Sequence, residues 1–249
     1  MRLLPTVATC ILKNVNRTFC AAKKLHCVTH VIFDMDGVLL DTEKLHKQSV
    51  TEVVGKFGKT YNLDLRYRVL GAPELDGAKM VVNELKLPIS IEEYINMVRE
   101  FESKVMSDVD VLPGVERLIR HLHKNNVPFA IATSSGKKSY DYKTSKHRSL
   151  FSLFNHVVNG ATDPEVKNGK PAPDIFLTCA SRFPDKPPMN KCLVFEDSPN
   201  GVRGAKDAGM QVVMLPDPLL PKHLCAEASV ILNSMEDFIP EAFGLPPFN

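Results

Sequence analysis

Residues 31–43 read Val31-Ile32-Phe33-Asp34-Met35-Asp36-Gly37-Val38-Leu39-Leu40-Asp41-Thr42-Glu43. The apolar run from His30 to Phe33, with β-branched Val31 and Ile32, stops abruptly at Asp34. A second carboxylate, Asp36, follows, and then Gly37. A buried strand that ends in two acids is costly unless those acids are paired or used. Residues two apart on an extended chain point the same way, so Asp34 and Asp36 face one pocket. Gly37 suits a tight turn away from the strand. Open α/β sheets hold their ligands at such strand ends, and the stretch is therefore read as the first strand and the active centre of an α/β fold.

Outward from it, residues 46–111 show helical patterning and no strand pattern. Leu45, Val50, Val53, Val54 and Phe57 share a face. Leu75–Lys86 places Leu75, Ala78, Val82 and Leu85 on one side, and Pro88 breaks it. Ser90 followed by Glu93 is a capping box, opening a helix to about Met106 with Ile91, Ile95, Val98 and Val105 inward. From residue 112 onward, strand and helix alternate. Apolar runs at Val127–Ala132, His156–Val158, Cys192–Phe195, Gln211–Leu215 and Ser229–Leu232 read as strands. Helices are expected at Gly114–Asn126, after Pro173, and between Ser198-Pro199 and Gly209. The polar segment Lys137–Arg148, with Lys137, Lys138, Lys143, Lys146 and Arg148, reads as a solvated helix face. Alternation of this kind predicts a doubly wound parallel sheet, Rossmann-like, with the helical block inserted after its first strand. The expected division is a core of residues 28–45 and 112–249, a helical cap of 46–111, and a tail of 1–27.

Each apolar run of the core stops at a distinctive polar set. Asp34 and Asp36 end the first, Thr133-Ser134 the next, and Glu196-Asp197 a third, while Lys170 arrives on a glycine turn. Singly, each has an ordinary explanation: a turn, a cap, a surface lysine, or acids at a helix start. Together, in this order, they make a cluster of four carboxylates, a hydroxyl pair and an ammonium. Four acids cannot all stay ionised without a cation. An all-oxygen set (Asp34, Asp36, Glu196, Asp197) selects a hard ion such as Mg²⁺, which suits carboxylates, water and phosphate. The chemistry expected is phosphoryl transfer. Asp34 attacks phosphorus and forms an aspartyl-phosphate. Mg²⁺ and Lys170 neutralise the transferring group. Thr133 and the strand-end amides hold phosphate oxygens, with Ser134 beside them. Asp36 protonates the leaving oxygen and later activates water. Glu43 either faces the leaving group or is a plain helix-start acid.

These motifs, FDMDGVLLDTE (33–43), ATSS (132–135), GKPAPDIF (169–176) and FEDSPNGVRGAKDAGM (195–210), resemble those of the haloacid dehalogenase superfamily over residues 28–249. The resemblance implies a nucleophilic Asp34, an acid/base Asp36 that also offers its backbone carbonyl to the metal, a Thr133 phosphate contact, a charge-neutralising Lys170, and Asp197 as a metal ligand that Glu196 supports indirectly. It also implies that the insertion is a small helical cap. The segments YDYKTSKH and LNSMEDFIPEAFGLP lie outside the general motifs and resemble the animal pseudouridine-5′-phosphatases. That narrower likeness implies pseudouridine 5′-phosphate as substrate. Another sugar, polyol or nucleotide monophosphate, or a β-phosphoglucomutase-like reaction, is the alternative. A mutase needs a cap cation for its second phosphate, and the corresponding loop here reads Gly71-Ala72-Pro73-Glu74-Leu75.

Composition bounds the rest. The 249 residues are 44% hydrophobic and 24% charged with a net charge of +2, which argues neither for nucleic acid nor for an acidic tail, and no nucleic-acid or membrane partner is expected. Trp is absent, so there is no tryptophan platform for single strands. No apolar run approaches the roughly 18 residues that span a bilayer. Six scattered cysteines without a C-x-x-C pair are expected as reduced thiols. The tail carries Arg2, Lys13, Arg17, Lys23 and Lys24 and no acid before Asp34, which reads either as a mitochondrial transit peptide or as a simple extension. A monomeric cytoplasmic enzyme is expected, with a mitochondrial location as the alternative from the tail.

Overall fold

The computed structural model describes residues 25–69 and 74–248. Residues 71–73 of the loop Gly71-Ala72-Pro73-Glu74-Leu75, most of the basic tail, and Cys10 and Cys20 lie outside the described residues. The four cysteines that are described, Cys27, Cys179, Cys192 and Cys225, are free thiols.

Six parallel strands form one sheet: β1 (His30–Phe33), β2 (Phe129–Thr133), β3 (Val157–Asn159), β4 (Cys192–Glu196), β5 (Gln211–Met214) and β6 (Val230–Ile231), in the order β3-β2-β1-β4-β5-β6. The central strands are buried on both faces, which is why they read as continuous apolar runs. Period-2 alternation still divides them. Val31, Phe33, Phe129, Ile131, Leu193 and Phe195 enter one core layer. Ile32, Ala130, Ala132, Val194 and Val212 enter the other. Phe33 stacks on Phe195 across neighbouring strands, with centroids 4.9 Å apart, so the ends of β1 and β4 are held in register.

Nine α-helices of the described residues surround or extend this sheet. The insertion carries α1 (Thr42–Gly55), α2 (Leu63–Val69), α3 (Glu74–Leu85) and α4 (Ile91–Val105). The rest is α5 (Val115–Lys124), α6 (Lys137–Lys143), α7 (Arg148–Phe151), α8 (Asp174–Ser181) and α9 (Pro199–Asp207). The capping box of α4 forms as the sequence suggests: the Glu93 amide donates to Ser90 Oγ at 3.1 Å, and Glu93 Oε2 accepts from the Ser90 amide at 2.8 Å. Asn62 caps the short α2, which the sequence pattern did not single out. In α3 the buried face is Gly77, Ala78, Val81 and Val82, and Leu75 is 52% exposed. Small residues win that face because a Cβ at Gly77 would lie 3.1 Å from Val69 Cγ1; α2 and α3 approach too closely for a leucine there. Pro173 sits at the N-cap of α8 rather than in its first turn.

Helices α1–α4 bury an apolar cluster of their own around Val53, Val54, Leu65, Val81 and Tyr94. Two connections join them to the sheet side, and these are laced together. The Leu112 amide donates to the Leu39 carbonyl, and the Asp41 amide to the Asp110 carbonyl, each at 3.0 Å. Among the described residues no helix is long and apolar enough to cross a membrane.

Candidate active site

The chain leaves β1 through a compact turn in which the Leu39 amide donates to the Met35 carbonyl at 2.9 Å and the Gly37 amide to the Leu40 carbonyl at 3.0 Å. Gly37 adopts φ +76°, a conformation that penalises any side chain. A Cβ there would also collide with Asp197 Oδ2. The turn after β1 and the turn after β4 therefore press against each other, and glycine is what permits it. The Asp34 amide donates to the Phe195 carbonyl at 2.9 Å, fixing the first acid beside the end of β4.

Lys170 reaches this point on the turn that Gly169 opens. Its Nζ donates to Asp34 Oδ1 at 2.5 Å, Glu196 Oε1 at 2.6 Å and the Ala132 carbonyl at 3.2 Å. The Phe176 ring lies 5.1 Å away. This ammonium is buried, and the two carboxylates outweigh the burial and push its pKa up. Glu196 is wholly buried, and both its oxygens are committed. Oε2 accepts from the Asp197 amide, the Ser198 amide and Ser198 Oγ, each at 3.0 Å. Ser198 Oγ in turn accepts from the Gly201 amide at 3.0 Å, capping α9. A Cβ at Gly201 would run into the Glu196 carboxylate. Glu196, expected in the metal set, has both oxygens in hydrogen bonds, Oε1 with Lys170 and Oε2 with the turn, and so positions Lys170 and that turn.

Asp36 takes a different cation. Lys143 Nζ donates to its Oδ1 at 2.7 Å, and Ser135 Oγ to its Oδ2 at 2.9 Å. Lys143 belongs to the segment read from sequence as a solvated face. Lys137 and Lys138 are indeed exposed, but α6 turns the Lys143 side chain inward until only 9% of it is exposed. A buried ammonium needs a carboxylate, and Asp36 supplies it. Burial alone would raise the Asp36 pKa; Lys143 outweighs it and holds the carboxyl below the usual aspartate range. Asp34 behaves oppositely. Burial dominates over Lys170, and with Glu196 and Asp36 nearby its pKa is pushed up to about 7.

Thr133 is fully buried, and its Oγ1 accepts from the Ser135 amide at 3.1 Å. It braces the strand-end turn and is not among the cavity-lining residues. Ser134 and Ser135 are. Glu43, in the first turn of α1, lines the same cavity, and its carboxyl is raised by burial, with nearby Asp217 adding to the rise and His46 opposing it. The cavity measures about 860 Å³ and lies between the sheet's C-terminal edge and the helical insertion. Its far side carries Tyr61 and Tyr94, whose hydroxyls burial keeps protonated (Tyr61 is pushed up to about 12).

The donor chemistry fits a hard divalent cation. Lys170 pairs with Asp34 and Glu196, whereas Asp197 has no cationic partner among the described residues. Burial, Glu196 and Asp34 together raise the Asp197 carboxyl well above the ordinary range; a positive charge beside Asp197 and Asp34 would relieve both. Among the described residues no three His, Cys, Asp or Glu side chains are arranged to hold an ion unaided.

The profile of the haloacid dehalogenase-like hydrolases matches residues 31–215, from the first strand to just past the fifth. The chain belongs to that family. It is 51% identical over 228 residues to a Drosophila melanogaster protein described as a probable pseudouridine-5′-phosphatase, covering 92% of this chain and 99% of that one. It is 46% identical to (DL)-glycerol-3-phosphatase 2 of Arabidopsis thaliana, covering 89% and 93%. Among solved structures it resembles a putative β-phosphoglucomutase from Thermotoga maritima, with a TM-score of 0.67, 32% identity and coverage of 87% and 97%. Magnesium use is general in the family.

Proposed function

We propose that the chain is a phosphomonoesterase that works through an aspartyl-phosphate on Asp34 and acts on pseudouridine 5′-phosphate. One observation carries the reaction class: Lys170 spans Asp34 and Glu196 at the base of a large cavity, while Asp36 faces the same cavity under separate control of Lys143. A nucleophile and an acid/base group must differ in environment to do different work.

In the first half-reaction an Asp34 oxygen attacks phosphorus and the bond to the ester oxygen breaks. The leaving oxygen takes a proton from Asp36. In the second, Asp36 accepts a proton from water, which attacks phosphorus, releases phosphate and restores Asp34. Lys143 holds Asp36 as the anion, which is the form the second half needs. For the first half Asp36 must exchange that contact for a proton. Asp34, the Asp36 carbonyl and Asp197 would hold Mg²⁺, which when bound supplies charge neutralisation at the phosphoryl group. Lys170 adds the fixed ammonium, and Ser134, Ser135 and their turn offer hydrogen bonds to phosphate oxygens. Helices α1–α4 act as a cap that closes the cavity from water.

The substrate rests on the 51% identity to the probable pseudouridine-5′-phosphatase, and the cavity of about 860 Å³, with Tyr61 and Tyr94 among its lining, has room for a nucleoside. The glycerol-3-phosphatase relatives favour a smaller polyol phosphate as the second reading. A phosphate-release panel of pseudouridine 5′-phosphate, uridine 5′-phosphate and glycerol phosphates, scored by kcat/KM with Mg²⁺ and with EDTA, decides between them. Pseudouridine 5′-phosphate is expected to lead, Asp34→Asn to abolish turnover of p-nitrophenyl phosphate without unfolding, and EDTA to silence the enzyme reversibly. A glycerol phosphate with the higher kcat/KM would replace the substrate, and turnover by Asp34→Asn would remove the nucleophile. Glucose 6-phosphate formed from glucose 1-phosphate and its bisphosphate faster than free phosphate appears would make it a mutase.

A further inference from the structure

Two arginines of the helical insertion line the cavity's far side, and both already hold carboxylates. Arg99 of α4 forks onto Glu74, with contacts of 2.9 and 2.6 Å. Both side chains are more than half exposed, so water screens that pair and it can swing aside. Arg66 of α2 is different. Its Nη2 donates to Asp217 Oδ2 at 2.7 Å, and both side chains are only 14% exposed. Asp217 lies in the loop after β5, between Pro216 and Pro218. Its Oδ1 accepts from the Leu219 amide at 2.7 Å, and its carbonyl accepts from the Leu220 amide at 2.8 Å. The carboxylate is therefore fixed by its own turn, and the guanidinium comes to it from the other side of the cavity.

We propose that Asp217 is a specificity-determining residue: by neutralising Arg66 at the leaving-group end of the cavity, it excludes esters whose leaving group carries a second anion and selects neutral, hydroxyl-bearing ones. The proposal rests on the phosphomonoesterase reading. A largely desolvated guanidinium left unpaired would be a ready site for a second phosphate or a carboxylate, since its planar fork binds both bidentately. With Asp217 in place, such a group meets a closed ion pair and, in the same cavity lining, the carboxyls of Glu43 and Glu102. Opposed like charges of this kind set specificity by repelling the wrong ligand. A nucleoside or polyol brings hydroxyls that these carboxyls can accept from, and it has no charge to be repelled. The pair also joins the insertion to the sheet side. A purely structural bridge would weaken binding of every substrate alike when broken, whereas a selector changes the ratio between substrates.

Glycerol 3-phosphate and 3-phosphoglycerate make a matched pair, differing by a carboxylate in place of an alcohol. With wild type, glycerol 3-phosphate is expected to have the higher kcat/KM. Asp217→Asn is expected to move the ratio towards 3-phosphoglycerate by about tenfold or more, and the Arg66→Gln/Asp217→Asn double variant to return it to within about twofold of wild type. Asp217→Ser repeats the measurement if the asparagine variant is poorly folded. The same two ligands are titrated calorimetrically in the Asp34→Asn background, where no turnover is expected. A shift in the Kd ratio with no phosphate release from any protein would overturn the esterase reading and leave the selection standing. Equal losses on both ligands, with the ratio unmoved, would overturn the selection and leave Arg66–Asp217 as a bridge only.

Discussion

Lys143→Met is the perturbation that most directly tests the division of labour between the two acids. The methionine keeps most of the apolar stem and removes the ammonium. At 2.7 Å from Asp36 Oδ1, and with an effective dielectric near 20, the gross attraction lost is about 6 kcal/mol. Much of that is offset, because a lysine side chain that is 9% exposed gave up its hydration to be there. Breaking a fully buried pair costs about 3–5 kcal/mol. Asp36 is 31% exposed and keeps its bond from Ser135, so the expected loss is smaller, about 2 kcal/mol.

The pH dependence carries the sign. The Asp36 pKa is held below its unfolded value of 3.8, so its pairing stabilises the fold fully above that value. The contribution is lost as pH falls through the lowered folded value. Urea unfolding of wild type and variant, in EDTA to keep any divalent cation out of the comparison, should therefore show the full difference at pH 7. The difference should shrink once Asp36 is protonated. Turnover should fall about a hundredfold, the lower part of the range for a displaced acid/base group. A stability difference that does not change with pH, or an unchanged kcat, would refute the idea that Lys143 governs Asp36.

Two further outcomes follow from the same geometry. Burial pushes the His46 pKa down, but Glu102, whose Oε1 lies 2.6 Å from His46 Nδ1, outweighs it, and His46 should titrate above 6.5. In Glu102→Gln an NMR titration of the imidazole should find it lower, and the variant's stability deficit should be larger at pH 6 than at pH 9, because a raised histidine stabilises below its unfolded pKa and loses that as pH rises; an unmoved titration removes Glu102 as the cause. Gly37→Ala must hold a Cβ at φ +76° against Asp197 and should lose about 1–3 kcal/mol along with activity, whereas Gly169→Ala, whose Cβ would meet nothing within 4 Å, should stay within about 0.5 kcal/mol of wild type.

What could be read from the chain depended on whether a local pattern carried the information. Asp34, Glu196 and Asp197 were legible because each interrupts an apolar strand, and strand ends of a parallel sheet converge by topology alone. Lys170 was legible because glycine and prolines mark its turn. Lys143 was not, because nothing near it in sequence distinguishes it from Lys137 or Lys138. Its role comes from a contact with a residue 107 positions away, which only the packing of α6 creates. The commitment of both Glu196 oxygens was equally hidden, since an acid beside another acid looks the same whether it ligates or braces. Leu75 misled for a related reason: hydrophobicity proposed it for the core of α3, while close approach by α2 put Gly77 on the buried face instead.

The pairing pattern also explains why the site is built from two lysines rather than one. Four carboxylates meet there, and a phosphate ester adds further negative charge. Lys170 is shared between Asp34 and Glu196, and Lys143 serves Asp36, so Asp197 is left without a cation of its own among the described residues. A single mobile lysine would pair with whichever acid lay nearest and leave Asp34 and Asp36 in similar environments. With separate ammonium groups, one on a turn and one on α6, the balance differs at the two acids: burial outweighs Lys170 at Asp34 and raises it to about 7, whereas Lys143 outweighs burial at Asp36 and holds it below its ordinary value. The remaining excess of negative charge falls where Asp34 and Asp197 meet. A divalent cation there would favour an ionised nucleophile at Asp34 while the Asp36 carboxylate keeps its own partner, Lys143, until it takes up the proton for the leaving group.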